Sequence, residues 1–188
     1  MLPEIMDALK GIELAGFAKN RFKGMKREQV TDAMILVSAC LLGINCKYNG
    51  KNNRNTFVLE LGKKVPLIPV CPEQLGGLPT PRIGSEITGG GGKEVLEKKA
   101  RVVNQEGEDV TSHFLKGAAE TLRLAEIMGS NMAIFKSNSP SCGSGTIYSG
   151  EFDGKLKKGE GVTAALLKEK GLLILTENIF SEKERERK

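Results

Sequence analysis

A chain of 188 residues, 39% hydrophobic and 27% charged, holds enough apolar material for one substantial core and too little for two domains. No apolar run approaches the roughly 18 residues of a membrane span, and the first ten residues lack the basic-then-apolar order of a secretory signal, so the expected location is the cytoplasm. The formal net charge of +5 gathers largely near the ends, in Lys10, Lys19, Arg21, Lys23, Lys26, Arg27 and a mixed tail; a solvated surface accounts for it about as well as a nucleic-acid surface does. With no Trp and 5% aromatic residues, no stacking platform for single strands is indicated.

Residues 1–33 read as an N-terminal extension, with Ile5, Leu9, Ile12 and Leu14 spaced for a short helix that Gly11 and Gly16 weaken. The core domain is expected over 34–180, followed by a charged tail over 181–188. The apolar run 35–40 predicts a strand buried on both faces, and Gly43, Asn45, Asn49 and Gly50 then form turns. A helix is predicted over 56–63 behind Asn55 as N-cap, and a second strand over 65–70 that Pro72 prevents from continuing. Residues 76–92 read as loop, with Gly89, Gly90, Gly91 and Gly92 as a mobile lid or bend. After a short strand-and-turn excursion over 94–103, a helix runs from Thr111 to about Met128 on the stripe Phe114, Leu115, Ala118, Leu122, Ala125 and Ile127. A strand over 132–135 opens into the Ser- and Gly-rich loop 137–145. A glycine-turned excursion over 146–158, a helix over 162–170 and a strand over 172–175 complete the chain. Strands alternating with helices predict an α/β fold, a mainly parallel sheet with helices on both faces in a Rossmann-like three-layer sandwich.

In such sheets ligands bind outside the carboxyl ends of the strands. Cys40, Cys71 and Cys142 each fall at or just beyond such an end, so the three thiols converge on one edge if their strands are neighbours. Disulfides are not expected in a reducing compartment, and no spacing is C-x-x-C, which argues against a zinc ribbon or a thioredoxin-type site. Three readings remain. The cysteines could be small core residues, a reading that suits Cys46 in its polar turn. One could be a nucleophile, which wants a base such as His; the sole histidine, His113, stands in the first turn of a predicted helix and reads as a surface or capping residue. Or they hold zinc or an iron–sulfur cluster. Three ligands leave a metal position open for chemistry, whereas four mean structure or electron transfer, so Cys46 discriminates between the outcomes.

Val37-Ser38-Ala39-Cys40-Leu41-Leu42-Gly43, Cys46-Lys47-Tyr48-Asn49-Gly50, Pro69-Val70-Cys71-Pro72-Glu73, Gly76-Gly77-Leu78-Pro79-Thr80-Pro81-Arg82 and Ser139-Pro140-Ser141-Cys142-Gly143 together resemble the thiouracil desulfidase (TudS-like) family, long catalogued as a domain of unknown function. Residues 1–33 lie outside the resemblance. It implies an oxygen-sensitive [4Fe-4S] cluster on Cys40, Cys71 and Cys142, replaced by zinc or lost in aerobically purified protein, with the fourth iron free for the substrate sulfur. It also implies an enzyme that removes sulfur, as sulfide, from a thiopyrimidine such as 2-thiouracil or from a thiolated nucleoside. Fused relatives act on thiolated tRNA, which makes tRNA a weaker candidate partner. By the same carry-over Glu73 is a general acid/base and Ser139 assists it or orients substrate, while Ser38, Arg82 and Ser141 are candidate substrate contacts. Read from the residues alone, Glu73 is also a surface carboxylate, Ser139 a turn hydroxyl, and Arg82 either the partner of an acidic group or an anion binder. The alternative function is a non-catalytic iron–sulfur or electron-transfer module with Cys46 as fourth ligand. The chain departs from the family at two turns, where Asn49 and Ser149 replace Asp and remove a negative charge.

Overall fold

A computed structural model describes residues 34–179. The expected extension over 1–33 and the tail over 181–188 lie outside the described residues. Strand β1 (Ile35–Ser38) is buried along its whole length and pairs in parallel with β2 (Leu67–Val70) on one side and β5 (Met132–Phe135) on the other. Strand β8 (Leu173–Thr176) adds in parallel to β5, giving the order β2-β1-β5-β8. The expected α/β sheet is therefore present, and the strand ends that carry Cys71, Cys40 and Cys142 are immediate neighbours.

Alternation along the strands sends residues to two separate cores. Ile35, Val37, Ile134 and Leu175 pack with Val58 and Leu61 of helix α1 (Thr56–Gly62). Leu36, Ala133, Phe135 and Ile174 pack on the opposite face with Ala125, Ala164 and Leu167, which belong to helices α4 (Thr111–Ile127) and α5 (Val162–Glu169). Each of the larger of these side chains (Val, Leu, Ile and Phe), when fully withdrawn from water, contributes about 1.5–3 kcal/mol. Helices thus cover both faces of the sheet. No helix among the described residues is long and apolar enough to cross a membrane.

The Asn55 cap is in place. Asn55 accepts the Val58 N–H at 3.1 Å through its side chain, and Gly129 and Gly171 take the left-handed conformation just past α4 and α5. Several expectations need correction. The first strand stops at Ser38, and Ala39–Leu42 form a 3-10 turn. Pro72 does more than end β2: it is the first residue of a one-turn helix, α2 (Pro72–Leu75), where its missing N–H leaves no bond unmade. The stretch over 76–92 contains a strand, β3 (Ser85–Thr88), paired antiparallel with β4 (Arg101–Asn104). In the four-glycine run Gly89 and Gly90 form a bend, and Gly92 opens helix α3 (Gly92–Leu96), its N–H donating to the Glu160 carbonyl at 2.7 Å. Ile127 is 69% exposed and drops out of the α4 stripe, while Gly117 and Thr121 are buried in it. The excursion over 146–158 is a hairpin of β6 (Thr146–Tyr148) and β7 (Leu156–Lys158).

Candidate active site

Each cysteine is delivered by a distinct local device. The 3-10 turn after β1 buries Cys40 and is closed by Gly43 at φ 91°, whose N–H reaches the Ala39 and Cys40 carbonyls. The loop that follows folds back, with the Asn53 N–H on the Cys40 carbonyl at 2.9 Å and the Asn53 side chain on Cys40 Sγ at 3.6 Å. Cys71 is the N-cap residue of α2 and donates its thiol to the Cys46 carbonyl at 3.7 Å. Cys142 lies in the loop after β5, in which Ser139 Oγ accepts the N–H groups of Ser141 and Cys142, both at 3.1 Å. The carbonyls of Pro140 and Ser141 accept the first N–H groups of α5, so this loop is also the cap of a helix.

These ends open on one cavity of about 480 Å³ that holds Cys40, Cys46, Cys71 and Cys142 together with Glu73, Arg82, Ser38 and Ser139. The volume suits a small ligand. A larger depression of about 600 Å³ beside α1 and β2 contains no cysteine. Hydrogen bonds link Cys46 to Cys40 and Cys71; they push the Cys46 thiol far up, and they hold Cys40 below the ordinary thiol value and Cys71 at about 7, against the effect of burial. Complete burial pushes the Cys142 thiol well up, opposed in part by a hydrogen bond from Ser38. Among the described residues no three His, Cys, Asp or Glu side chains converge closely enough for one metal ion. Three thiols on three neighbouring strand ends better match a cluster, in which each ligand takes a different iron.

Glu73, in the first turn of α2, accepts Arg82 Nε on Oε2 at 2.6 Å. Arg82 is 6% exposed and spends Nη1 on the Pro79 carbonyl and Thr80 Oγ1, each at 3.2 Å. Of the two roles open to Arg82, the structure displays the acidic partner. Ser38 Oγ accepts the Lys136 N–H at 2.9 Å and so ties β1 to the loop after β5. Ser141 is not on the cavity: it is 1% exposed and shares a hydrogen bond with Thr163 at 2.9 Å. His113 also stands apart, with Nδ1 on the Gly76 carbonyl at 2.9 Å. Asn49 and Ser149 serve their turns, accepting the N–H groups of Lys51 and Glu151.

Sequence reasoning missed several cavity residues. Lys136 points its ammonium at Glu177, at 2.5 Å, and at Ser137 Oγ, at 2.8 Å. Glu86 lines the cavity from β3, an element hidden in a stretch read as loop. Both tyrosines of the chain, Tyr48 and Tyr148, also line the cavity and are 47% and 40% exposed. A low aromatic content says nothing about where the few aromatic residues gather.

The family model described as 2-thiouracil desulfurase matches residues 35–179. The chain is 49% identical over 145 residues to the uncharacterized protein YbbK of Bacillus subtilis (strain 168), covering 77% of this chain and 96% of that one. A solved structure described as a [4Fe-4S]-dependent thiouracil desulfidase, TudS, is 40% identical with a TM-score of 0.70, over 80% of this chain and 94% of that one. With its four parallel strands, its thiol-lined edge and these matches, the chain belongs to the 2-thiouracil desulfurase family.

Proposed function

We propose that the protein is an iron–sulfur-dependent desulfidase that removes sulfur from a thiolated pyrimidine, with Cys40, Cys71 and Cys142 holding a [4Fe-4S] cluster. Family membership makes it an enzyme of the thiouracil desulfidase type. The observation that carries the reading is the meeting of three strand-end thiols with the Glu73 carboxylate in a single cavity at the carboxyl edge of the sheet. Bound there, the cluster supplies an iron with an open position, a soft Lewis acid matched to a thiocarbonyl sulfur. The chain's own groups do the rest. Arg82 holds Glu73 by Oε2, which leaves Oε1 to take a proton from the water that attacks the ring carbon. Ser139 Oγ accepts two backbone N–H groups, so its own proton is available to orient that water or the ring. The pyrimidine is a free base or part of a thiolated nucleoside; a tRNA partner rests on the resemblance to fused relatives and on the basic charge.

Anaerobic reconstitution with iron and sulfide, followed by assay of sulfide released from 2-thiouracil, tests the reading. Wild type should turn brown and release sulfide, and Cys46→Ser should retain both properties. Cys46 is 2% exposed and hydrogen-bonded to two of the three ligands, which gives the four-thiolate alternative a specific footing: loss of the cluster in Cys46→Ser would establish it. A loaded wild type that leaves every thiopyrimidine intact would sink the desulfidase reading.

A further inference from the structure

We propose that Glu86 selects the ring edge of the substrate, its free carboxylate oxygen accepting the pyrimidine N3–H. This rests on the desulfidase reading and adds to it a residue that decides which rings are admitted.

Glu86 stands in β3, 8% exposed, and borders the cavity. Its Oε2 accepts the N–H groups of Gly150 at 2.8 Å and Phe152 at 3.1 Å. Those bonds hold the turn between β6 and β7 against β3 at a point of close approach: a Cβ on Gly150 would collide with the Ile87 carbonyl. The carboxylate therefore cannot swing without abandoning two backbone donors. No hydrogen bond or ion pair among the described residues uses Oε1. Nor is that oxygen sealed in, because the buried side-chain polar atom that lacks a partner is Glu160 Oε2 and not Glu86 Oε1. Glu86 borders the cavity, and Oε1 is the carboxylate oxygen that no described neighbour engages.

A free carboxylate oxygen offers lone pairs only, so whatever meets it must donate. The cavity's cations are engaged elsewhere: Arg82 with Glu73, Lys136 with Glu177 and Ser137, and Lys47 over the Tyr48 ring at 5.5 Å from its centroid. With no protein group donating to it among the described residues, Oε1 is open to a donor from the ligand. Rings of the uracil type carry N–H groups beside their carbonyl or thiocarbonyl carbons. A ring of the cytosine type keeps its N1–H but presents a bare lone pair at N3, which would face the carboxylate lone pairs. A site built to hydrogen-bond one edge rejects the analogue that lacks the donor, because its own polar group is left unpaired. Glu73 and Glu86 thus divide the work, the first acting on water and the second on ring identity.

The test measures binding of uracil, 3-methyluracil and cytosine by calorimetry, to the reconstituted and the cluster-free protein. Wild type should prefer uracil over both others by roughly ten- to a hundred-fold, the range of a hydrogen bond to a charged group. In Glu86→Gln the amide can keep its oxygen on the two backbone N–H groups and turn its NH2 to the cavity, so uracil should weaken and cytosine should gain. Thermal unfolding checks that the variant is folded; where it is not, Glu86→Asp, which withdraws the free oxygen, should flatten the same preference. A wild type without the preference overturns the proposal. So does a folded variant that keeps the wild-type order or weakens all three ligands alike, since Glu86 would then only anchor the turn. Sulfide release from 2-thiouracil by wild type judges the desulfidase reading separately: its absence beside an intact, Glu86-dependent uracil preference removes the reaction and leaves the recognition.

Discussion

A guanidinium that is 6% exposed and 2.6 Å from a carboxylate oxygen cannot be lent to a substrate without stranding a buried charge, a loss of about 3–5 kcal/mol. We therefore propose Arg82 as a positioning residue for Glu73. If Glu73 moves the proton, Glu73→Gln should lower turnover by about 10²–10⁴ while leaving the iron content unchanged; sulfide release and iron quantitation on one preparation decide it, and wild-type turnover would remove Glu73 from the chemistry. Arg82→Lys keeps the charge and loses the fork that also engages Pro79 and Thr80. It should lower kcat with little change in KM, whereas a substrate contact would show chiefly in KM. The residue types of the site were legible from their motifs, but their pairings were not. Nothing local predicts that Arg82 turns back on Glu73, that Cys46 sits between Cys40 and Cys71, or that Ser141 faces α5 rather than the cavity.

Elements were legible where a local cause sets them. Helix α4 follows its apolar spacing and ends near Gly129, and α1 starts behind the Asn55 cap. Helix α2 escaped because a Pro after a strand signals a stop, whereas at a first helical position it signals a start. Strand β3 escaped because four residues among Gly and Pro carry little period to read, and its place is set by pairing with β4. What aims Cys71 and Glu73 is the crossing of α2 and α4, where a Cβ on Gly117 would strike the Pro72 carbonyl and one on Gly76 would strike the His113 carbonyl. These are backbone obstacles that no rotamer change relieves. Gly117→Ala should thus destabilise by about 1–3 kcal/mol, read as a lower denaturant midpoint at unchanged slope, and should lower activity in the fraction that stays folded. An unchanged midpoint would mean that the two helices part at no cost.

At the scale of the molecule, the convergence of the thiols is a property of strand order. β2, β1 and β5 come from distant parts of the chain, and their adjacency depends on long-range packing that local patterns do not encode; a predicted α/β class narrows the order without choosing it. The same sheet is filled on both faces by aliphatic and aromatic side chains that do not line the cavity, from Leu36 and Phe135 on one face to Val37, Val58 and Leu61 on the other, although Cys40 and Cys46 belong to one cluster and Cys142 to the other. A core of that kind needs no metal to close it, unlike small domains whose metal-binding energy is their folding energy. A cluster held by these thiols, as proposed, would consequently act as a ligand of the folded state, adding stability by mass action. The variant with Cys40, Cys71 and Cys142 all replaced by Ser should be colourless, keep the far-UV circular dichroism of wild type, and melt near cluster-free wild type and below the reconstituted protein. Its Ser at Cys142 lies in a site 6% exposed, so a further small drop is expected there from burying a hydroxyl. A variant that is unfolded at room temperature, together with a wild type that unfolds when chelated, would instead make the cluster a structural staple and remove the argument that this edge of the sheet is kept free for chemistry.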